Sequence, residues 1–148
     1  GNYAITNLGA LLFARDLNDF PTVARKALRV IRYDGPSPIS PSRSKTFFSG
    51  YAKLDQALEY VEALLPEQEV IQGARRVTLR MFPHMALREL MANMLIHQDF
   101  SITGTGPMIC IFDGRIEFTN PGSSLVDVAR LLNDPPHSRN EKMAAICR

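Results

Sequence analysis

Cysteine is scarce in this sequence, and the positions of the two cysteines disfavour the functions that depend on them. Cys110 and Cys147 are the only cysteines among 148 residues. Neither belongs to a Cys-x-x-Cys pair, and neither lies near a histidine at the spacing of metal ligands, which argues against a zinc site and against a disulfide-built secreted scaffold. We therefore predict a protein of a reducing compartment.

The sequence also lacks a strong charge of either sign and a long apolar run. Its 17 basic and 15 acidic residues leave a net charge of +2, which is not the electrostatic footprint of a chain that binds nucleic acid or an anionic membrane. No apolar run approaches the roughly 18 residues of a membrane span, and the opening GNYAITNLG has no signal pattern. A cytoplasmic protein without a membrane partner is predicted.

The length and composition that are present suit one globular domain. The chain is 45% hydrophobic and 22% charged, and 148 residues can bury a substantial core. No internal repeat is visible, and no segment marks a second domain. We interpret residues 1–148 as a single domain, and the opening Gly1-Asn2 suggests a piece excised from a longer protein.

Helical and extended patterns alternate along the chain, which predicts an α/β fold. Extended patterns cover residues 27–35, a hairpin or a bulged strand at 70–82, and a hairpin at 106–122 around Asp113-Gly114. The three prolines and four serines of residues 36–45 predict an exposed, poorly ordered loop. Helical periodicity covers residues 6–16, 54–67, a segment that begins at Pro83, 124–134 and 140–148.

The segment ALRELMANMLIHQDFS, residues 86–101, carries the most informative pattern. Its apolar residues fall on one helical stripe, formed by Leu87, Leu90, Met91, Met94 and Leu95. We predict that this stripe is buried against the strands of the hairpin at 106–122. Glu89, Asn93 and His97 recur every four residues and drift by about 40° per step, so they form one strip beside that stripe. A surface position for Leu90, or a helix over residues 106–119, would remove the basis for a site on this strip.

Each polar signal, taken alone, has an ordinary structural interpretation. A Glu-x-x-x-Asn pair is often solvated surface, a histidine at a helix end favours the helix dipole, and Asp99 can begin a turn. Asn-Pro-Gly at 120–122 is common turn chemistry, and Arg139-Asn140 can be a cap beside a solvated cation. The basic residues at 42–45 fit a solvated loop better than a nucleic-acid patch.

The order of these signals changes their weight. The helix with Glu-x-x-x-Asn is followed by His-x-Asp, a strand, Asp-Gly, a strand that ends in Asn-Pro-Gly, and then Ser-Arg-Asn. This order resembles the C-terminal domain of transcriptional regulators often labelled ATP-dependent DNA helicase RecG-related, which carry an AlbA-type, Schlafen-like domain upstream. The sequence has no Gly-x-x-x-x-Gly-Lys-Ser/Thr loop, so helicase activity is not expected.

More remotely, the domain is similar to the ATP-binding fold of gyrase B, ninety-kilodalton chaperones, histidine kinases and MutL. By this resemblance Glu89 would be the catalytic base, and Asn93 would hold Mg²⁺ between phosphates. A carboxylate can accept a proton from water, and a carboxamide oxygen suits a hard cation. The ATP-binding residues implied are Asn93, His97, Asp99, Asn120, Gly122, Arg139 and Asn140.

These observations predict a two-layer α/β sandwich with a mixed, mostly antiparallel sheet and helices mainly on one face, like a divergent histidine-kinase ATPase domain. Our first hypothesis is a nucleotide-binding regulatory domain of a bacterial-type transcriptional regulator, with weak or no ATP hydrolysis and Mg²⁺ as cofactor. The alternative is a non-catalytic interaction or dimerisation module that keeps the ATPase-like frame. In both cases DNA binding would belong to other domains, and a homo-oligomer is compatible with either.

Overall fold

The computed structural model describes residues 4–72, 75–123 and 140–147. Helices and strands alternate along these residues. The helices are α1 (Asn7–Phe13), α2 (Leu54–Leu64), α3 (His84–Ile96) and α4 (Glu141–Cys147). The strands are β1 (Leu28–Tyr33), β2 (Pro41–Phe47), β3 (Glu67–Gln72), β4 (Arg75–Arg80), β5 (Met108–Ile111) and β6 (Ile116–Thr119). Three short 3₁₀ turns lie at Leu17–Asp19, Ala24–Lys26 and Tyr51–Lys53.

Four of the strands form a mixed sheet in the order β2-β1-β5-β6. The pair β1–β5 is parallel, whereas β1–β2 and β5–β6 are antiparallel. The strands β3 and β4 form a separate antiparallel hairpin. The prediction of a mixed, mostly antiparallel sheet is therefore confirmed.

The two faces of the four-stranded sheet differ because successive side chains point to opposite sides of a strand. Leu28 and Val30 of β1 and Ile109 and Ile111 of β5 belong to one hydrophobic core with the helices. Residues of all four α-helices contribute to that core, which explains why the helices lie on this inner face. The opposite, outer face carries Arg29 and other polar side chains of the alternate register. The two-layer α/β architecture predicted from the sequence is confirmed.

The local signals for most elements act as expected. Thr6 is the N-cap of α1 and its hydroxyl accepts a hydrogen bond from the Gly9 N–H at 3.1 Å. The hairpin β5–β6 closes tightly around Asp113-Gly114, where the Phe112 N–H donates to the Arg115 carbonyl at 2.9 Å. Pro83 is the N-cap of α3 and not its first residue, so the helix begins one position later than predicted.

The prediction for Leu90 is wrong. Leu90 is 47% exposed, whereas Leu87, Met91 and Met94 are buried as expected. The reason is that α2, α4 and β6 all contact α3, so the buried arc also includes Ala92 and Ile96. Including these two residues shifts the arc away from Leu90, which lies next to Asn93 on the exposed side.

The prediction of a loop over residues 36–45 is correct in exposure but wrong in structure. All ten residues are exposed, yet the segment from Pro41 onward is strand β2. β2 lies at the edge of the sheet, and Pro41 is its first residue, a position where the missing proline N–H costs no ladder hydrogen bond. Antiparallel pairing with β1, from Leu28–Phe47 onward, supplies the order that local composition did not indicate.

Two further predictions concern helices near the C-terminal end of the sequence. The helix predicted at 124–134 lies outside them. The helix predicted at 140–148 is α4, Glu141–Cys147. In the described part of the chain no helix is long and apolar enough to cross a membrane, since α3, at 13 residues, is longer than α1, α2 and α4.

Candidate functional site

The exposed face of α3 carries a hydrogen-bonded carboxylate and carboxamide. Asn93 Nδ2 donates to Glu89 Oε1 at 3.1 Å, as two side chains one helical turn apart can do. Glu89 is exposed and Asn93 is half-buried. Because the amide nitrogen is directed to Glu89, the Asn93 carbonyl oxygen does not take part in this hydrogen bond. This arrangement places a carboxamide and a carboxylate side by side on the exposed side of α3.

Leu90 shares this face, which changes its character. It lies three residues before Asn93 and is 47% exposed. The strip of Glu89, Asn93 and His97 is therefore part of a wider exposed surface that includes an apolar side chain. The exposure of Leu90 removes the basis for a site enclosed between α3 and the sheet, so a ligand at Glu89 and Asn93 would meet an open face of α3.

The C-terminal end of α3 is tied to the turn that follows β6. His97 is the C-cap of the helix, and the Asp99 N–H two residues later donates to the Pro121 carbonyl at 2.7 Å. The structure thus brings Asp99 into contact with Pro121, which lies between Asn120 and Gly122 in the chain. Gly122 has φ +128°, a backbone conformation that residues with a side chain rarely adopt.

The Asp99 side chain has a local role in that connection. Its Oδ1 accepts hydrogen bonds from the Ser101 N–H at 3.0 Å and from the Ser101 hydroxyl at 2.5 Å. A side chain that bonds the backbone two residues ahead stabilises a turn. Asp99 therefore shapes the chain immediately after α3.

Asn140 also contacts this end of α3 through hydrogen bonds. Its Nδ2 donates to the Ile96 carbonyl at 2.6 Å and to the Gln98 carbonyl at 2.8 Å. Carbonyls at a helix C-terminus have no partner within the helix, so the Asn140 amide satisfies two of them. The neighbouring site residue of the sequence analysis, Arg139, lies outside the described residues.

Asn120 lines a cavity away from the Glu89–Asn93 pair. That cavity has a volume of about 510 Å³, and none of the residues lining it belongs to α3. Glu89 is eight residues before His97, which places it about 12 Å further along the helix axis. The structure therefore groups His97, Asp99, Asn120, Gly122 and Asn140 around one end of α3 and sets Glu89 and Asn93 along its exposed side.

Three buried groups beneath this end of α3 were not found from the sequence. Gln98 is fully buried, and its Nε2 donates to the Tyr51 hydroxyl at 3.0 Å and to the Leu95 carbonyl at 3.1 Å. The Tyr51 hydroxyl donates to the Lys26 carbonyl at 2.6 Å. Their only sequence signal was Gln98 within the His-Gln-Asp motif, because Tyr51 and Lys26 come from distant segments.

Lys26 is a buried cation in this network. It is 4% exposed, and its Nζ donates to the Ile102 carbonyl at 2.6 Å. Burial lowers the pKa of Lys26 below its ordinary value, and the nearby Asp99 carboxylate opposes that shift. Lys26 thus connects the segment before β1 to the loop that follows α3.

The donor set at Glu89 and Asn93 suits a metal that brings other ligands with it. Among the described residues there is no group of three His, Cys, Asp or Glu side chains that could hold a metal ion. Mg²⁺ is commonly bound by one or two protein oxygens together with substrate phosphates and waters. The Asn93 carbonyl oxygen fits that mode, whereas a cage made of protein ligands alone does not.

Comparison with known proteins adds a family match over the last third of the chain. Residues 104–148 match the family described as "Putative ATP-dependent DNA helicase recG C-terminal". The matched segment is therefore similar to that family. It contains β5, β6, Asn120, Gly122 and Asn140, and it begins after α3. The match is consistent with an ATPase-like fold.

A solved structure is similar over nearly the whole chain. The crystal structure of the DIP2311 protein from Corynebacterium diphtheriae superposes with a TM-score of 0.73 over 94% of this chain, at 17% sequence identity. The chain spans 28% of the length of that protein. At this identity the likeness concerns the fold alone. No curated protein matches the sequence.

Proposed function

We propose that this chain is the nucleotide-binding regulatory domain of a longer, cytoplasmic, bacterial-type transcriptional regulator. It binds Mg²⁺-ATP at the exposed face of α3, hydrolyses it weakly or not at all, and leaves DNA binding to other domains. The observation that carries the proposal is the Glu89–Asn93 pair, in which two polar side chains hydrogen-bond to each other outside the core. The match of residues 104–148 to an ATPase-related family supports it.

The phosphate end of the ligand is assigned to the Glu89–Asn93 pair. Asn93 directs its amide nitrogen to Glu89, so its carbonyl oxygen is the atom available to Mg²⁺. The ion, when bound, supplies positive charge to the phosphate oxygens. Glu89 is positioned beside it to accept a proton from water. The Asn93–Glu89 hydrogen bond also restrains the carboxylate, which limits its reach and is consistent with slow turnover.

The base end of the ligand is assigned to the turn after β6. Gly122 has a positive φ, which favours glycine at this position. Because glycine has no side chain, a flat ring can approach the backbone here. An Asn120 carbonyl oxygen can accept a hydrogen bond from an amino group. The Asp99 N–H to Pro121 carbonyl bond holds this turn against the end of α3. His97, Asp99 and Asn140 therefore act mainly by positioning, and Arg139 is assigned to the phosphates.

One observation favours the alternative, a non-catalytic interaction or dimerisation module. Leu90 is 47% exposed and lies between Glu89 and Asn93 in the chain, on the same face of α3. An apolar side chain inside a polar strip suits a protein interface that mixes apolar and polar contacts. In this alternative the face binds a second copy or another protein, and the ATPase-like frame is retained without ATP.

Calorimetric titration of Mg²⁺-ATP into the full-length protein tests the proposal. We expect Asn93→Ala to weaken binding of Mg²⁺-ATP about tenfold or more, since it removes an oxygen ligand of the cation. Glu89→Ala is expected to leave binding in place and abolish any turnover. The matched controls are Asn18→Ala and Glu59→Ala, which change exposed residues far along the chain from α3.

The result that would overturn the proposal is the absence of heat and of chemical-shift changes with millimolar Mg²⁺-ATP. In that case sedimentation of wild type and Leu90→Arg tests the alternative. A charged side chain in the middle of an interface is expected to reduce self-association, and a protein that sediments as the same species in both forms has no homodimer interface at this face.

A further inference from the structure

The outer face of the four-stranded sheet carries a groove, which is the cavity that Asn120 lines, and the nucleotide proposal uses only this Asn120 edge of it. Its volume is about 510 Å³. One row of paired residues crosses all four strands at its floor, in the order Thr46, Arg29, Met108 and Thr119. These residues alternate with Leu28, Ile109 and Phe118, which pack in or against the core on the other face. The groove therefore opens away from all four helices.

One end of the groove depends on a close approach of two backbone segments. A Cβ atom on Gly106 would lie 2.3 Å from the Arg25 carbonyl oxygen and 3.2 Å from that of Ala27. Only glycine allows the loop at 104–107 to pack so closely on the turn that carries Arg25. The Arg29 N–H donates to the Pro107 carbonyl at 3.1 Å, which fixes the same loop to β1. Arg25 and Arg29 are thereby placed on the lining of one groove.

The groove is positively charged. Arg25 and Arg29 are both exposed, and no Asp or Glu of residues 4–72, 75–123 or 140–147 lines the groove. Among the described residues neither arginine forms an ion pair, and Arg29 makes one long side-chain hydrogen bond, from Nε to the Ser44 hydroxyl at 3.4 Å. The acidic residue on the strands of this sheet, Glu117, pairs instead with Arg115 at 2.5 Å. The positive charge of the groove therefore has no acidic counterpart in the part of its lining that the structure describes.

Hydroxyl groups complete the polar surface of the groove. Four of them lie on its lining, from Ser44, Thr46, Thr105 and Thr119. Arginine binds phosphate oxygens through paired N–H groups, and hydroxyls donate to the oxygens that remain. Next to this polar lining stand Met108 and the side chain of Phe48, which is 41% exposed. The groove thus combines an anion-binding part with an apolar part.

We propose that this groove binds a phosphate ester of nucleotide size, with its phosphate at Arg25 and Arg29 and its organic part against Phe48 and Met108. The volume falls in the range of about 300 to 1,000 Å³ that is usual for small-ligand sites. Such a phosphate comes either from a free mononucleotide or from single-stranded nucleic acid, where an aromatic side chain beside a basic groove stacks a base. The site is separate from the exposed face of α3 and does not depend on Mg²⁺.

The test uses the 148-residue chain with adenosine monophosphate, inorganic phosphate and a single-stranded oligonucleotide of about ten residues, all without Mg²⁺. We expect Arg29→Ala and Arg25→Ala each to weaken binding of the monophosphate about tenfold or more, because each removes a charged hydrogen-bond donor. Binding is also expected to weaken as salt is raised. Arg43→Ala is the matched control, since Arg43 is an exposed arginine on β2 in the alternate register to Ser44.

The three probes distinguish the sources of the phosphate. Equal affinity for the monophosphate and the oligonucleotide identifies a free ester, and much tighter binding of the oligonucleotide identifies nucleic acid. If Asn93→Ala weakens binding of the monophosphate and Arg29→Ala does not, the ligand lies on α3. That result would overturn this proposal and leave the proposal of Mg²⁺-ATP binding at α3 unaffected. Absence of binding by all three probes, with wild-type thermal melting retained, would overturn it as well.

Discussion

The middle and the C-terminal end of α3 use their polar residues in different ways. Near its middle, Glu89 and Asn93 bond to each other at the surface. At its C-terminal end, the Gln98 and Asn140 amides donate to backbone carbonyls of this helix end, and the Asp99 carboxylate accepts from Ser101. All of these residues except Asn140 lie within the single segment 86–101. The difference separates residues that the fold needs for its own hydrogen bonds from residues that it leaves available to a ligand.

This comparison has consequences for stability. Polar groups that satisfy buried partners are costly to remove, whereas a surface pair contributes little. A residue such as Asn140 can therefore belong to a binding motif and still act mainly by stabilising the fold. The following substitutions compare the middle of α3 with its C-terminal end, and its buried side with its exposed side. The quantity compared is the free energy of unfolding.

The largest loss is expected for a core residue of α3. Met91 is fully buried, so Met91→Ala should lower the free energy of unfolding by about 2 to 5 kcal/mol through lost contacts and a cavity. Leu90→Ala is the control and should change it by about 0.5 kcal/mol or less, because Leu90 is half exposed. Urea denaturation measures both. Equal losses for the two variants would mean that Leu90 is buried in solution.

A smaller loss is expected for the residue that satisfies the end of α3. Asn140→Ala removes the donor to two carbonyl oxygens and should cost about 1 to 3 kcal/mol in unfolding free energy. Asn18→Ala, which truncates an exposed side chain, should cost little. Chemical denaturation of both variants provides the comparison. A loss no larger than that of the control would show that the contact does not stabilise the protein.

Lys26 predicts a dependence of stability on pH. Burial holds its pKa below the ordinary value of 10.5, so between the folded and unfolded pKa values the unfolded chain binds more protons than the folded one. The free energy of unfolding should therefore rise with pH as pH approaches 10.5 from below, and Lys26→Met should lack this contribution. Denaturation of both proteins across that range measures the difference. Parallel pH profiles would contradict a lowered pKa.

The smallest effect on stability is expected for the surface pair. Glu89→Gln and Asn93→Ala should each change the free energy of unfolding by about 0.5 kcal/mol or less, since an exposed i, i+4 pair stabilises a helix only weakly. Thermal melting checks this. The two variants would then test ligand binding without loss of fold. A loss of unfolding free energy larger than that of Asn140→Ala would contradict the distinction between the middle and the C-terminal end of α3.

Much of the fold could be predicted because it follows from local chemistry. The Thr6 cap, the β1 strand ending at Asp34-Gly35, the α2 periodicity and the Asp113-Gly114 hairpin each depend on neighbouring residues alone. The strand β2 could not be predicted in this way. Its proline- and serine-rich sequence favours a loop, and only pairing with β1 makes it a strand.

The candidate site was predictable in part for the same reason. Helical spacing placed Glu89 and Asn93 on one face, and the sequence order brought the Asn120 turn to the end of α3. The roles of Asn140 and Gln98 were not predictable, because their partners come from distant segments. The basic groove on the outer sheet face was also missed, since Arg25, Arg29 and Thr119 lie far apart in the chain.

The sequence by itself determined the secondary-structure types of the local elements, the α/β class and the helical face that carries Glu89 and Asn93, because these depend on periodicity and on caps and turns within a few residues. The tertiary structure decided which side of α3 is buried, whether residues 41–47 form a strand, and which polar groups are used by the fold. These features depend on which elements pack against each segment, and that information is distributed over the whole chain.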